Sequence, residues 1–288
     1  MKLTDPNFIS RLDALYLLAR RVLGGSLQAD RRTTRKGAGI DFADYAEYQH
    51  GDDYRAIDWR VYGRLEQLLI KLFEVEEDTT VYIILDHSPS MQSKFEEAKK
   101  LAAALGYISL NSLDRLAVYG LSDCLLPVFS PSRGRAKSLT FLQAMEDLKV
   151  AGKDSYFTQC CKSFRARRQK KGIVVVISDF LYSQGYQDGL RTLQGMKHDI
   201  YCIQIHDSAD LECNWLGDAN LTCSETGVVK KVTVSESQAA KYKKLMQEWN
   251  KSLAKYCRQK GIGLTAVTKE DDFEKVIQNL LRKGGLVK

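Results

Sequence analysis

The chain has 288 residues, of which 44% are hydrophobic and 27% are charged, and it carries a formal net charge of +7. This composition is ordinary for a globular protein, with room for one large domain or two small ones. No segment reaches the roughly 20 apolar residues that span a bilayer, and the first residues lack the charged-then-apolar order of a secretion signal. We therefore expect a cytoplasmic protein without a transmembrane segment.

The cysteines argue against a disulfide-rich or zinc-binding protein, and the basic residues leave nucleic-acid binding open. The seven cysteines are odd in number and form no C-x-x-C pair, so they predict reduced thiols rather than a disulfide framework or a zinc site. The basic residues cluster over 31–36 and 165–171, and such clusters can bind nucleic acid. Because no aromatic residues are interleaved with them, we favour a solvated face or an acidic protein partner. Nucleic-acid binding is the weaker alternative.

The predicted elements begin with a helix and continue as alternating strands and helices. Pro6 stands at the favoured first position of the first helix, and Gly24 and Gly25 end it. The polar stretch over 26–50 predicts a loop. Apolar runs and helical periodicity predict the remaining elements: strands over 67–76 and 79–85, a helix over 94–110, strands over 115–121 and 124–129, helices over 136–148 and 157–169, a strand over 173–178, a helix over 186–196, a strand over 199–205, a hairpin over 221–234, a helix over 236–260, a strand over 263–268 and a helix over 273–282.

This alternation predicts an α/β fold in which a mostly parallel sheet is covered by helices on both faces. In such sheets, ligands bind beyond the carboxyl ends of the strands, at the point where the strand order reverses. Asp86 and Asp179 each stand at the carboxyl end of an apolar strand. If these strands are neighbours, both carboxylates reach the same crevice. Either aspartate by itself could also simply cap the end of its strand.

The segment from Asp86 to Ser90 has the pattern D-x-S-x-S. In an extended loop, residues two apart point the same way, so Asp86, Ser88 and Ser90 can converge on one point. One carboxylate and two hydroxyl oxygens suit a hard cation such as Mg²⁺, which keeps waters and accepts outside ligands. The structural alternative is that Asp86 ends the strand and the serines cap the following helix.

A second motif lies upstream, and the two motifs together carry a resemblance. The unit of strand, D-x-S-x-S loop and helix, with a second strand that ends in Ser178-Asp179-Phe180, resembles a von Willebrand factor A domain. The upstream segment Gly51-Asp52-Asp53-Tyr54-Arg55-Ala56-Ile57-Asp58-Trp59 resembles the G-D-D-x-R-x-I-D-W hallmark of a bacterial group, the domain of unknown function 58 family. The resemblance extends from about Gly39 to Leu281.

This resemblance implies a von Willebrand factor A-like, Rossmann-type domain over 78–288. A family-specific region over 1–77 precedes it as a helical and β extension. The family implies interaction rather than catalysis, because its members are often encoded beside MoxR-type AAA+ ATPases. They are thought to act with these ATPases as chaperone-like partners in the assembly or maturation of client proteins.

The resemblance also implies a metal-ion-dependent adhesion-type site for Mg²⁺ or Mn²⁺. Asp86, Ser88 and Ser90 match the loop of such a site, and Asp179 matches the aspartate that usually binds the metal through water. In von Willebrand factor A domains, the metal then binds a carboxylate that the partner protein donates.

One ligand of the implied site departs from the family pattern. The missing element is a threonine in a loop that commonly reads G-G-T-D-L, and Lys153 stands where that threonine should be. The ammonium group of Lys153 would compete with a cation or replace it. A one-residue slip would instead supply Asp154 as a further ligand, and the sequence leaves both alternatives open.

The upstream motif combines carboxylates, a guanidinium and a tryptophan at Gly51, Asp52, Asp53, Arg55, Asp58 and Trp59. We expect Trp59 to anchor the segment in the core because of its size. No nucleophile or histidine stands at a fixed spacing nearby that would support a catalytic role. A hydrogen-bonded structural turn or a partner-facing surface is therefore the favoured interpretation.

The predicted function is thus a non-enzymatic protein–protein interaction module. One alternative is a metal-dependent hydrolase that uses Asp86 as nucleophile or ligand. Against it, the D-x-D-x-T pattern of aspartyl phosphatases, the phosphate-binding P-loop and the G-x-S-x-G elbow are all absent from the sequence. The second alternative is the basic nucleic-acid-binding protein mentioned above.

Overall fold

The computed structural model describes residues 2–23, 32–36, 41–76, 79–152, 155–211, 217–222 and 228–282. The chain forms two compact units, one made of residues 1–22 and 80–288 and the other of residues 23–79. The first helix therefore groups with the later part of the chain rather than with the residues that follow it directly. The predicted division into domains 1–77 and 78–288 stays a prediction.

From residue 69 onwards, the described elements follow the predicted order closely. The helices are α1 (Pro6–Leu23), α2 (Trp59–Leu65), α3 (Phe95–Asn111), α4 (Ser138–Asp147), α5 (Phe157–Ala166), α6 (Gln187–Gln194), α7 (Ser208–Leu211), α8 (Glu236–Lys260) and α9 (Phe273–Arg282). The strands are β1 (Arg32–Lys36), β2 (Asp41–Glu47), β3 (Leu69–Glu76), β4 (Thr80–Asp86), β5 (Arg115–Leu121), β6 (Leu125–Arg133), β7 (Ile173–Ser178), β8 (Asp199–His206), β9 (Gly217–Thr222), β10 (Val229–Val234) and β11 (Gly263–Thr268).

The larger unit is built on a six-stranded sheet with the strand order β11-β8-β7-β4-β5-β6. Each neighbouring pair is parallel except β5 and β6, which are antiparallel. The chain enters the sheet at β4, builds outward through β5 and β6, and then crosses to β7 on the other side of β4. The strand order therefore reverses between β4 and β7, as in doubly wound α/β folds. The predicted α/β class with a mostly parallel sheet is confirmed.

Helices cover both faces of this sheet. On one face, Tyr82 of β4 belongs to a buried cluster with Phe164 of α5 and Leu190 of α6. On the opposite face, Gly106 of α3 lies so close to β5 that a Cβ atom there would stand 2.9 Å from Cδ2 of Leu116. Successive strand residues point to opposite faces, so an apolar strand such as β4 supplies both layers of the core.

Local signals set the bounds of α8. Ser235 and Gln238 form a reciprocal capping box at its start, and Gly261 ends it in the left-handed conformation with φ at 66°. Both devices satisfy backbone groups that a helix end leaves without an intrahelical partner. The helix has 25 residues, but neither it nor any other helix in the described ranges is long and apolar enough to cross a membrane.

The smaller unit contains a three-stranded antiparallel sheet with the order β1-β3-β2. The predicted loop over 26–50 is therefore wrong where β1 and β2 lie. Their sequences, RTTRK and DFADYAE, lack the apolar alternation that reveals a strand. They are strands because each one pairs with an edge of β3, which is a contact that local sequence does not encode.

The predicted hairpin over 221–234 is confirmed as the antiparallel pair of β9 and β10. Its first strand begins earlier than predicted, with Gly217 opposite Val234. The predicted turn over 225–227 lies outside the described residues.

Candidate functional site

Asp86 ends β4 at the point where the strand order reverses, and it is only 1% exposed. Its Oδ1 atom accepts hydrogen bonds from the backbone N–H of Ser88 at 3.0 Å and from the Ser88 hydroxyl at 2.6 Å. Its Oδ2 atom accepts a hydrogen bond from the Ser178 hydroxyl at 2.9 Å. Because Ser178 is the last residue of β7, the carboxylate joins the two central strands of the sheet.

Tyr182 extends this hydrogen-bond network. Its hydroxyl oxygen lies 3.0 Å from Oδ2 of Asp86 and 2.7 Å from Oγ of Ser178. The hydroxyl has one proton, so it donates to one of these two atoms at a time. When it donates to Ser178, which in turn donates to Asp86, the chain of bonds is cooperative. The Tyr182 ring is held by stacking on Phe157, with centroids 4.7 Å apart.

The protonation of Asp86 is shifted by its surroundings. Burial is the largest cause that raises the pKa of Asp86, to about 6 overall; the negative charge of Asp179 also raises it, and the hydrogen bonds from Ser88 and Ser178 act against the rise. Burial disfavours the charged form, and a nearby like charge does the same. Because Ser178, the residue before Asp179, donates to Asp86 at 2.9 Å, Asp86 and Asp179 lie at the same edge of the sheet.

Lys94, which belongs to neither sequence motif, pairs with the second aspartate. Its Nζ atom lies 2.9 Å from Oδ2 of Asp179 and 2.5 Å from Oδ2 of Asp210. The other oxygen of Asp179, Oδ1, accepts the backbone N–H of Leu181 at 3.0 Å. Burial by itself lowers the pKa of Lys94, but the charges of Asp179 and Asp210 outweigh that effect and raise it. Lys94 is therefore held as a buried ammonium ion.

One sequence signal could have drawn attention to Lys94. The residue stands directly before α3, and its side chain caps no backbone N–H group there. A cation at the N-terminus of a helix is disfavoured by the helix dipole, so a buried lysine at this place requires a nearby anion. The identity of that anion was not readable, because Asp179 and Asp210 come from distant parts of the chain.

His206 ends β8 beside this ion pair and is 3% exposed. Burial lowers its pKa, the positive charge of Lys94 lowers it further, and Asp210 and Asp179 act in the opposite direction. Neither ring nitrogen has a hydrogen-bond partner within the described parts of the chain. The neutral imidazole is thus favoured, and Lys94 rather than His206 supplies the positive charge.

The hydroxyl oxygens of Ser88 and Ser90 lie 3.1 Å apart. This distance is close to the roughly 3 Å that separates adjacent ligands in an octahedral Mg²⁺ site with bonds of about 2.1 Å. The two hydroxyls of the D-x-S-x-S loop therefore converge, although the loop is not extended as expected, because Pro89–Met91 form a short 3₁₀ helix directly after Ser88.

The carboxylate oxygens of Asp86 and Asp179, which the implied site needs as metal ligands, do not fit a divalent cation. Both oxygens of Asp179 are engaged, one by the Lys94 ammonium group and one by a backbone N–H, and both oxygens of Asp86 accept hydrogen bonds. A cation would have to displace the ammonium, N–H and O–H groups that contact these oxygens, and the charge of Lys94 would repel it. No group of three or more His, Cys, Asp and Glu side chains that could hold a metal ion occurs in the described ranges. The implied metal roles of Asp86, Ser88, Ser90 and Asp179 stay predictions.

Lys153 and Asp154, the two residues in doubt for the fifth ligand, lie outside the described residues. The residues just before them approach the site, because the backbone N–H of Ala151 donates to the carbonyl oxygen of His87 at 2.9 Å. This bond attaches the loop to the segment that follows Asp86. The alternative roles of Lys153 and Asp154 stay predictions.

The segment from Gly51 to Trp59 is a hydrogen-bonded turn in the smaller unit. Gly51 has φ at 109°, a conformation that glycine adopts without strain. Asp52 accepts the backbone N–H of Gln49 at 3.0 Å, and Asp53 caps a short 3₁₀ helix by accepting the backbone N–H of Arg55 at 3.0 Å. These two carboxylates therefore stabilise the local backbone.

Asp58, the third carboxylate of the motif, caps α2 and is 8% exposed. It accepts the backbone N–H of Arg60 at 3.0 Å, the hydroxyl of Tyr45 at 3.0 Å and an ion pair from Lys71 at 3.0 Å. The Lys71 bond is the largest cause that lowers the pKa of Asp58 to about 2; desolvation acts against it, and the bonds from Tyr45 and the backbone add to it. The carboxylate thus links α2 to β2 and β3.

The expectation that Trp59 anchors this segment in the core is wrong, because Trp59 is 59% exposed. Trp59 is the first residue of α2. The buried positions are taken instead by Ile57 and Val61, which are 8% and 7% exposed. These two residues lie four apart across the start of the helix, so Trp59 between them points outward.

Several solved structures are similar to this chain in fold. The conserved hypothetical protein BatB from Bacteroides thetaiotaomicron has 14% sequence identity and a TM-score of 0.44, and the match covers 71% of this chain and 98% of that one. A von Willebrand factor type A protein from Catenulispora acidiphila has 12% identity and a TM-score of 0.40, and the match covers 74% of this chain and 44% of that one. Proximal thread matrix protein 1 from the mussel byssus, with a zinc-occupied MIDAS motif, has 13% identity and a TM-score of 0.41, and the match covers 72% of this chain and 47% of that one. These TM-scores lie below 0.5, so the chain's own strand order and loop positions define the fold. The strand order of the chain itself confirms the predicted mostly parallel α/β sheet, and the likeness to the von Willebrand factor type A protein is one of fold alone.

Relatives in sequence cover nearly the whole chain. Uncharacterized protein Rv1480 of Mycobacterium tuberculosis is 23% identical over 277 residues, which are 93% of this chain and 87% of that protein, and uncharacterized protein Mb1516 of Mycobacterium bovis has the same values. The family model described as "Protein of unknown function DUF58" matches residues 44–252. This range includes both the upstream motif and the D-x-S-x-S loop. The chain therefore belongs to the DUF58 family of proteins of unknown function.

Proposed function

We propose that this chain is a non-enzymatic protein-interaction module. Its partner is a MoxR-type AAA+ ATPase, and the two act together in the chaperone-like assembly or maturation of client proteins. Membership of the family supports this proposal, and so does the surface of the smaller unit. The ATPase engages that surface through the upstream motif and α2.

The observation that carries the proposal is a group of exposed aromatic side chains in the smaller unit. Tyr54, Trp59 and Tyr62 are 62%, 59% and 41% exposed, and we name these three residues the aromatic face. The rings of Trp59 and Tyr62 meet edge to face, with centroids 6.1 Å apart. Tryptophan and tyrosine are enriched among residues that dominate binding energy, and grouped exposed apolar side chains mark interaction sites.

Arginines stand close to the aromatic face along the chain. The guanidinium of Arg55 lies over the Tyr54 ring, 5.9 Å from its centroid. Arg60 and Arg64 lie on α2 and are exposed. Arginine is also enriched in protein interfaces and pairs with carboxylates through two parallel hydrogen bonds. The complementary surface of the partner is therefore apolar at its centre and acidic at its rim.

The carboxyl edge of the sheet favours interaction over hydrolysis. A nucleophilic or base carboxylate must come within hydrogen-bond reach of the substrate. Asp86 is 1% exposed, and hydroxyl and amide donors occupy its oxygens. The network around Asp86 therefore acts as a structural support for the loops at this edge.

The test measures binding of the full chain to a purified MoxR-type ATPase from the same organism, by biolayer interferometry. We expect saturable binding, weakened about tenfold or more by Trp59→Ala, because loss of a central aromatic residue typically removes at least that much affinity. Leu245→Ala is the matched control, since Leu245 is 55% exposed on α8 of the other unit. Absence of binding, or equal effects of Trp59→Ala and Leu245→Ala, would refute the proposal.

A further inference from the structure

A buried lysine lies between a buried and a partly exposed carboxylate at the carboxyl edge of the sheet. Lys94 is 1% exposed, and its Nζ atom lies between carboxylate oxygens of Asp179 and Asp210. We name these three residues the ion triad. Its members come from the residue before α3, the end of β7 and the short helix α7. The triad therefore fastens three loops at one edge of the sheet.

The triad performs the electrostatic task that a bound cation would perform there. Asp86 and Asp179 are 1% exposed each, and the repulsion between two adjacent buried carboxylates is costly unless a nearby positive charge offsets it. The ammonium group supplies that charge at 2.9 Å from Asp179. The same group donates a hydrogen bond to Oδ2 of Asp210, and its contact with Asp179 is an ion pair.

We propose that the Lys94 ammonium group takes the place of the divalent cation, so that this edge of the sheet is held together without a metal. The aspartate that the family resemblance assigns to the metal, Asp179, is instead the partner of Lys94. This inference is independent of the proposed ATPase partner, because it concerns only which cation neutralises the edge.

One consequence concerns how a partner is recognised. In an adhesion-type site, an open position on the metal receives a carboxylate from the partner protein. Lys94 is too deeply buried to receive one. Recognition by this chain therefore takes place without a metal that is shared between the two proteins.

The first test is a titration of the full chain with Mn²⁺, followed by electron paramagnetic resonance of the free ion. Up to about 1 mM Mn²⁺, the weak end of affinities known for protein cation sites, we expect no saturable binding to the wild type. Lys94→Met removes the charge but keeps an apolar stem of similar length. This variant should gain one Mn²⁺ site, and the double variant Lys94→Met/Asp179→Asn should lose it again.

Lys100→Met is the matched control, because Lys100 lies on α3 and pairs with Glu97 away from the ion triad. It should behave as the wild type does. Stoichiometric Mn²⁺ binding by the wild type that Asp86→Ala abolishes would overturn the proposal. A folded Lys94→Met variant that binds no Mn²⁺ would overturn it as well, since the ammonium group would then not be what excludes the cation.

A second measurement decides the matter if Lys94→Met does not fold. In the wild type with ¹⁵N-labelled lysine, the buried ammonium group of Lys94 should give a protected N–H signal in nuclear magnetic resonance spectra. That signal should stay sharp when Mn²⁺ is added, because no paramagnetic ion approaches the group. Selective broadening of the Lys94 signal would show a metal ion beside it and would refute the proposal.

Discussion

The Nζ atom of Lys94 lies 2.9 Å from Oδ2 of Asp179, and the two side chains are 1% and 2% exposed. The pair connects the loop after β4 to the end of β7, the two strands between which the strand order reverses. Neither charge can be solvated by water at this depth, so each depends on the other. Two Ser–Asp hydrogen bonds reinforce the same junction through Asp86.

Loss of the lysine charge should destabilise the protein strongly. Lys94→Met leaves the Asp179 carboxylate buried without its counter-ion, and breaking a buried ion pair in this way costs about 3–5 kcal/mol. The free energy of unfolding from urea titration measures the effect. Lys100→Met removes a partly exposed i,i+3 pair with Glu97 and should cost less than about 1 kcal/mol. Equal losses in the two variants would contradict the role of Lys94.

The double variant tests whether the cost comes from the stranded charge. Lys94→Met/Asp179→Asn has no buried carboxylate at this position, so it should be less destabilised than the sum of the two single variants. The difference is the coupling between the two residues, which a double-mutant cycle isolates. Strict additivity would show that the two residues do not stabilise each other.

The Tyr182 hydroxyl should contribute measurably to stability. Tyr182→Phe removes the donor that lies 3.0 Å from Asp86 and 2.7 Å from Ser178 and leaves the stacked ring in place. We expect a loss of about 1–2 kcal/mol, the range for a buried hydrogen bond to a charged or polar acceptor. Tyr62→Phe, at an exposed position, should change the urea midpoint little. If Tyr182→Phe left the free energy of unfolding unchanged, Ser178 alone would satisfy Oδ2 of Asp86.

Acid should loosen the turn around Asp58. The pKa of Asp58 is lowered from 3.8 to about 2 in the folded chain, so the unfolded chain binds protons more readily between these values. The Asp58 carboxylate therefore makes its full contribution to the free energy of unfolding above about pH 4, and this contribution is lost as the pH falls through 2. Amide hydrogen exchange of Arg60 and Val61, corrected for intrinsic rates, should show protection that declines over this window. In Asp58→Asn, protection should be weaker at pH 5 and nearly independent of pH, whereas an unchanged profile would contradict the assignment.

Two helical glycines should respond to alanine in opposite directions. Gly106 lies in α3, where an added Cβ would stand 2.4 Å from Cζ of the buried Phe141. Gly106→Ala should therefore destabilise the chain by about 1–3 kcal/mol, as overpacked cores do. Gly63 lies in α2 with nothing within 4 Å of the added atom, so Gly63→Ala should stabilise it by about 0.5–1 kcal/mol through helix propensity. Thermal unfolding of both variants gives the two signs, and a stabilising Gly106→Ala would refute the close packing of α3 on α4.

Much of the larger unit follows from local sequence. The β-branched run Ile173–Ser178 can hardly form anything but a buried strand, and the capping box at Ser235 with Gly261 at the other end delimits α8. The alternation of such elements leads to a parallel sheet, and from there to two aspartates at one edge. These steps are readable because each depends on neighbours in the chain or on a general rule of strand connection.

Other features are decided only by contacts between distant residues. β1 and β2 are polar in sequence and become strands because β3 offers them two hydrogen-bonding edges. Trp59 is exposed because Ile57 and Val61 take the buried positions at the start of α2, although the size of Trp59 suggests burial. Hydrophobicity alone does not say which of several apolar residues a small unit has room to bury.

The sequence by itself placed Asp86 at the end of a strand with Ser88 and Ser90 close behind it, but the local turn that brings the hydroxyls together is a 3₁₀ helix over Pro89–Met91 and not the extended loop that the spacing suggests. Only the tertiary structure decided which charge stands next to Asp179. The helix dipole disfavours a cation directly before a helix, which makes Lys94 unusual, but nothing local marks this lysine as buried or names its partners. It becomes a buried ammonium ion because β7 and α7 bring two carboxylates within 2.9 Å and 2.5 Å of it, and a desolvated charge is stable only where such partners converge.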